Sequence, residues 1–137
     1  MMFDIEVEGR ERAAGAPTDA TIREALQLAF ASAGLHAGHV AIHFVDETRS
    51  HQLAAEYLGK DDATDVISFP VDEDHELGPT IAADIMRELG DIIICPERTH
   101  DLLEAIIHGA LHLVGMDHET DDGEMLALQG ELVSWLR

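Results

Sequence analysis

The sequence predicts an α+β fold, a single domain over residues 1–137 in which about four strands form a mixed sheet with helices packed against it. Three observations carry that expectation. An early segment alternates apolar and acidic residues. A later run, DIIIC (Asp91–Cys95), is continuously apolar. The segments with helical periodicity fall between and after the strand-like ones, in the order strand, helix, strand, helix, strand, strand, helix, helix. With 137 residues, 46% of them apolar, the chain is long enough to bury a core.

Each element has its own signal. Phe3, Ile5 and Val7 alternate with Asp4, Glu6 and Glu8, the pattern of a half-buried strand. Gly9 to Pro17 reads as a loop. Thr21 and Glu24 fit a capping box, and Ile22, Leu26, Ala29, Phe30 and Ala33 follow at helical spacing up to Gly34. Val40–Val45 is a second strand. Asp46 or Thr48 caps a helix carrying Leu53, Ala54 and Tyr57, with Gly59 as its stop. Asp65–Phe69 is a strand closed by Pro70. Asp91–Cys95 is expected in the middle of the sheet, buried on both faces. About twenty residues without a clear element separate these two strands, and loops of that length are often functional. Asp101–Val114 is apolar almost all round, hence a buried helix. Asp121–Leu136 is a final amphipathic helix, with Asp121 and Glu124 placed for a capping box.

The composition narrows the function classes. The N-terminus MMFDIEVEGRER is charged early, so no signal peptide is expected. The longest nearly uncharged run, Ala105–Met116, is too short to span a bilayer. A single cysteine, Cys95, excludes an intramolecular disulfide. A cytoplasmic protein without membrane attachment is the expectation. The 28 acidic residues against 8 basic ones, with Lys60 the one lysine, give a net charge of −20. Such a charge solubilises, and it repels nucleic acid at long range. A nucleic-acid substrate would need a local basic patch or the charge of a bound metal.

The chemistry is concentrated in His108-Gly-Ala-Leu-His112-Leu-Val-Gly115-Met-Asp117-His118. Residues four apart on a helix share a face, so His108 and His112 can reach one metal ion about 2 Å from each. Gly115 stands where the helix should stop, and a glycine there can turn the chain sharply and return His118 to the same point. Unpaired imidazoles in an otherwise apolar helix are costly. The combination therefore predicts a metal site at the end of a buried central helix. Three imidazoles leave a fourth position for water, the catalytic arrangement. Zinc is the default ion, and nickel or cobalt suits the same ligands. The spacing matches the long metalloprotease motif at every position but one, where the general-base glutamate is Gly109. Asp117 beside the third histidine is a candidate to orient it or handle a proton, or is a turn residue. His36, His39, His43, His51, His75 and His100 are scattered and expected on the surface or in strands, and Cys95 reads as a small buried residue near the ligand helix.

HGALHLVGMDH (108–118) resembles the signature of the bacterial endoribonuclease YbeY family, the rRNA maturation factors. GKDDATDVISFP (59–70) is similar to that family's G-K-D-x-P-T-D-V-L-S-F-P segment, and LGDIIIC (89–95) resembles its next strand. The resemblance runs over most of the chain from about residue 40 onward. It implies an α+β fold and a metal-dependent endoribonuclease specific for single strands. It also implies roles in 16S rRNA 3′-end maturation and ribosome quality control, with rRNA and small-subunit components as partners. Carried over by position, His108, His112 and His118 are the metal ligands. The sequence departs from the family pattern in three places. Leu58 stands where an arginine follows the tyrosine, Ala63 replaces a proline, and the stretch between Cys95 and His108 is shorter. The arginine's place as a cation facing a phosphoryl group then falls to Lys60, which also matches a frequent family residue, or to Arg49. Two other functions stay open: a metalloprotease-like hydrolase lacking the motif glutamate, and a ribosome-associated binding factor with a structural metal.

Overall fold

A computed structural model of the chain describes residues 2–71 and 88–137. Strands β1 (Met2–Glu8), β2 (Ala37–Phe44), β3 (Val66–Pro70) and β4 (Glu88–Ile94) form one sheet in the order β1-β2-β4-β3. The β1/β2 and β2/β4 pairs are parallel and β3/β4 is antiparallel, so the sheet is mixed as expected. The helices are α1 (Asp19–Ala31), α2 (Glu47–Leu58), α3 (Leu102–Leu113) and α4 (Glu124–Leu136). Short 3₁₀ turns at Arg10–Arg12 and Pro96–Arg98 follow β1 and β4.

The two faces of the sheet differ. On one, Phe3, Val40, Ile42, Phe44, Ile92 and Ile94 pack against α1, α3 and α4, which contribute Ile22, Leu26, Phe30, Ile106, Ile107, Leu111, Met125 and Leu132. On the other, among the described residues, α2 is the helix that covers the sheet: Leu53 and Ala54 meet Ile67, Phe69 and Ile93. β4 is thus interior, with Ile92 and Ile94 in the main core and Ile93 half-buried beneath α2. No described helix is long and apolar enough to cross a membrane.

Several boundaries differ from the sequence expectation. The N-cap of α1 is Thr18, whose hydroxyl accepts the Thr21 N–H (3.2 Å), so Thr21 is the third helical residue and not the cap. The helix ends at Ala31 and leaves Ala33 exposed. β2 starts at Ala37 because its backbone pairs with β1 from Met2 onward. Of the two candidate caps of α2, Asp46 serves, accepting the Arg49 N–H (2.8 Å). β4 begins at Glu88, three residues before the apolar run, because β2 and β3 both bond to it there. The remainder of the expected long loop, 72–87, including His75, lies outside the described residues. The last helix starts at Glu124, capped by Gly123, and not at Asp121. The Asp121 carboxylate accepts the Gly123 and Met125 N–H groups, while Glu124 accepts from Asp122, so the expected box closes one residue later.

The part of the sheet that α2 leaves open carries a polar ladder. His39 bridges Glu88 (2.7 Å) and Glu6 (3.3 Å), and His43 bridges Glu8 (3.0 Å) and Asp91 (2.9 Å). The hydrogen bond to Glu88 raises the His39 pKa above its ordinary 6.5 despite some desolvation. A raised folded-state pKa contributes stability that is complete below the unfolded pKa and is lost as pH rises through the folded one. His39→Gln is therefore expected to lower Tm more at about pH 6 than at about pH 9. Melting curves of the parent and the variant at both pH values check this, and equal losses would contradict it.

Candidate metal centre

The site is built on α3. Asp101 caps its start by accepting the Glu104 N–H (3.2 Å). Its buried residues, Leu103, Ala105, Ile106, Ile107, Gly109, Ala110 and Leu111, surround it almost completely, which fixes its rotation about its axis. Gly109 is the point of closest approach to the sheet. A Cβ there would stand 2.5 Å from Ile92 Cγ2 and 3.2 Å from Ser68 Oγ, and the Ser68 hydroxyl donates to the Gly109 carbonyl (2.8 Å). The position that holds a glutamate in metalloproteases thus faces the sheet and has no room for a side chain. The metalloprotease route through a motif carboxylate is closed here by packing.

At the other end of α3, Gly115 (φ 96°) adopts the left-handed conformation. Its N–H bonds to the His112 carbonyl (3.0 Å), and the Met116 N–H reaches back to Leu111 (3.1 Å). These two bonds are the Schellman closure of a helix. The turn sends the chain back so that His118 joins His108 and His112. A ring nitrogen of each lies within 4.8 Å of the others, and all three side chains are half-buried. The rings meet edge to face, with centroids 4.7, 4.9 and 5.3 Å apart.

The hydrogen bonds assign proton positions. His112 Nδ1 lies 2.9 Å from the Met116 carbonyl, which only accepts, so Nδ1 carries the proton. His108 Nδ1 lies 2.7 Å from Gln129 Oε1, again an acceptor. Both Nε2 lone pairs then face each other at 3.1 Å. Two lone pairs at that distance repel unless a cation stands between them. Two nitrogens on a tetrahedral ion with bonds of about 2.0–2.1 Å sit about 3.3 Å apart, close to this spacing. His118 Nδ1 is the one buried side-chain nitrogen or oxygen among the described residues without a hydrogen-bond partner. Burial, followed by the neighbouring His108, lowers the His112 pKa and favours the neutral, metal-binding imidazole. The donor set therefore fits one divalent transition metal ion.

The other residues singled out in the sequence fall elsewhere. Asp117 is exposed, its carboxylate accepts the Glu119 N–H (2.9 Å), and its carbonyl accepts from Thr120 and Asp121, so it builds the turn before and after His118. Lys60 is exposed beyond α2, its N–H bonded to the Ala54 carbonyl (3.2 Å). Leu58 is 45% exposed, and Tyr57 (58% exposed) lies edge-on to Phe69 at 5.0 Å. The contact with Phe69 puts Tyr57 on the α2 side of the sheet, whereas α3 packs on the opposite side. Cys95 is buried, its thiol pKa pushed up by desolvation, and it is not one of the clustered groups. The residue missed by sequence reasoning is Gln129. Its only signal is its place between Met125 and Leu132 on the buried face of α4.

The packing at Gly109 gives a direct prediction. Alanine in place of a helical glycine gains about 1 kcal/mol of propensity. Overpacking against fully buried Ile92 costs about 1–3 kcal/mol. Gly109→Ala is expected to lower Tm, as measured by thermal denaturation of the metal-free protein, and a higher Tm would contradict the close approach.

Comparison with known proteins places the chain in a family. A family model described as Endoribonuclease YbeY matches residues 5–137. The Endoribonuclease YbeY of Bacillus cytotoxicus is 39% identical over 129 residues, covering 82% of this chain and 82% of that one. That of Acinetobacter baylyi is 39% identical over 112 residues, covering 71% of this chain and 69% of the relative. Among solved structures, the solution structure of TM1509 from Thermotoga maritima superposes with a TM-score of 0.52 at 24% identity, covering 97% of this chain and 89% of that one, which speaks for the fold. With the family model spanning all but the first few residues, the chain belongs to the endoribonuclease YbeY family.

Proposed function

We propose that the protein is a metal-dependent endoribonuclease that cleaves single-stranded RNA, with His108, His112 and His118 holding one divalent ion, zinc by default. The observation that carries the metal is the pair of Nε2 lone pairs facing each other at 3.1 Å. Family membership carries the RNA. Within that family reading, the substrate is the 3′ end of 16S rRNA and the partners are small-subunit components. The whole of 1–137 forms one nuclease domain in this proposal, acting in the cytoplasm.

The ion, when bound, supplies Lewis-acid activation of water or of a phosphoryl oxygen. The chain's own residues do the rest. The Met116 carbonyl and Gln129 hold two imidazoles with their lone pairs aimed at one point. Their half-buried position limits the water around the site. Asp117 is kept as the carboxylate next to the third ligand in the chain, and Lys60 as the cation that follows the family's tyrosine segment.

Charge sets a condition on RNA binding. Among the described residues, Arg10 pairs with Asp19, Arg12 with Asp46, Arg98 with Glu47 and Asp62, and Arg137 with Asp101. The turn that carries His118 holds Asp117, Glu119, Asp121 and Asp122 and no cation. A bound ion would supply the positive charge that this turn lacks. A second reading is favoured by Leu58, which puts no cation where the family has its arginine. It is a ribosome-associated binding factor with a structural metal.

Metal content and cleavage of a single-stranded rRNA fragment, measured together for the parent and for His112→Ala, separate these readings. One equivalent of metal with cleavage in the parent, and loss of both in the variant, is the expected result. Stoichiometric metal without cleavage in the parent would overturn the nuclease reading in favour of the binding factor.

A further inference from the structure

Gln129 is one of two buried polar or charged residues in the described core, at 8% exposure, and the other, Ser50, is engaged with Thr64. It sits on the face of α4 that packs against α3, flanked one turn to either side by Met125 and Leu132. An amide placed among apolar residues is unfavourable unless it is hydrogen-bonded. Its partner is the Nδ1 of His108, at 2.7 Å, the shortest polar contact made by any of the three histidines.

The chemistry of that contact is one-sided. A carboxamide can present either its oxygen or its NH₂. If it presented NH₂, His108 Nδ1 would be the acceptor, the ring proton would move to Nε2, and the nitrogen facing His112 would have no lone pair to give. Only the oxygen leaves Nε2 free as a ligand. The Met116 carbonyl does the same for His112, but as part of the backbone turn. At His108 the task falls to a side chain from another helix, 21 residues further along the chain.

We propose that Gln129 is a positioning residue of the metal centre. Its amide oxygen holds His108 in the Nδ1–H tautomer and fixes the ring's rotation, so that Nε2 points at the ion shared with His112 and His118. The inference rests on the metal reading above and adds to it that α4 sets the metal affinity. It also accounts for why α4 closes over α3 with a polar group at the centre of an apolar contact.

The test compares Gln129→Met, which keeps the length and removes the acceptor, with Gln129→Glu, which keeps an acceptor. Zn²⁺ dissociation constants come from competition with a chromogenic chelator, and the visible d–d bands of the Co²⁺-loaded proteins report ligand geometry. Gln129→Met is expected to weaken Zn²⁺ binding about 10–100-fold and to change the Co²⁺ bands. Gln129→Glu is expected to stay within a fewfold of the parent. Melting in excess chelator shows that the metal-free variants are folded. A purely structural role would lower that Tm and leave Zn²⁺ affinity and Co²⁺ bands unchanged. Should the methionine variant not fold, long-range ¹H–¹⁵N correlation of the His108 ring in the parent decides, the Nδ1–H form supporting the assignment and the Nε2–H form overturning it. Parental Zn²⁺ affinity in Gln129→Met, or equal losses in both variants, would overturn it while leaving the metal reading intact. A parent that binds neither Zn²⁺ nor Co²⁺ would overturn both.

Discussion

The histidine cluster depends on how closely α3 lies against β3 and β4. Gly109 makes that approach, with Ile92 where its Cβ would be and Ser68 bonded to its carbonyl. Once the helix is seated there, Gly109 faces the sheet, and His108 and His112 face α4 and the returning turn. The missing protease glutamate is therefore not a lost catalytic group on an otherwise protease-like helix. The helix presents its histidines on one side and packs its other side on the sheet, so that a glutamate at 109 would have to enter the core. That steric constraint leaves no room here for the glutamate of the metalloprotease motif.

Satisfaction of hydrogen bonds then turns a histidine cluster into a site with a defined chemistry. A helix C-terminus leaves carbonyls without partners. Here the Schellman bonds close the His112 and Leu111 carbonyls, and the Met116 carbonyl one step further serves His112 Nδ1. The same turn thus ends the helix, orients one ligand and delivers another. What it cannot supply is a positive charge. With the surrounding turn acidic and four of the arginines already paired with carboxylates, the electrostatics favour a site that is completed by a cation. A net charge of −20 on the whole chain repels RNA at long range, so under the proposed function recognition would rest on contacts close to a bound ion.

Much of this was legible in the sequence because it rests on local periodicity. The alternation in Phe3–Glu8 reappears as a strand with Phe3, Ile5 and Val7 inward and Asp4, Glu6 and Glu8 outward. Spacing of four along an apolar helix, followed by Gly115, sufficed to bring three histidines together. Features fixed by tertiary contact were not legible. The start of β4 at Glu88 depends on neighbours that bond to it, across a register shift at His39/Val40. The cap of α1 moved to Thr18 because a hydroxyl alone suffices there, without the acidic partner that drew attention to Thr21. Gln129 in an amphipathic helix reads as a solvent-facing residue until α3 is laid beside it, and the packing of α2 on the other face of the sheet, with Tyr57 against Phe69, has no signature in any single segment.

In the proposed site, three imidazole nitrogens, Nε2 or Nδ1, share one ion with a position left over. X-ray absorption at the zinc edge of protein loaded with one equivalent tests this most directly. The proposed metal site predicts three imidazole nitrogens at about 2.0–2.1 Å and one further light atom, in a tetrahedral shell. A first shell with a sulfur from Cys95, with fewer than three imidazoles, or with only waters and carboxylates would contradict it.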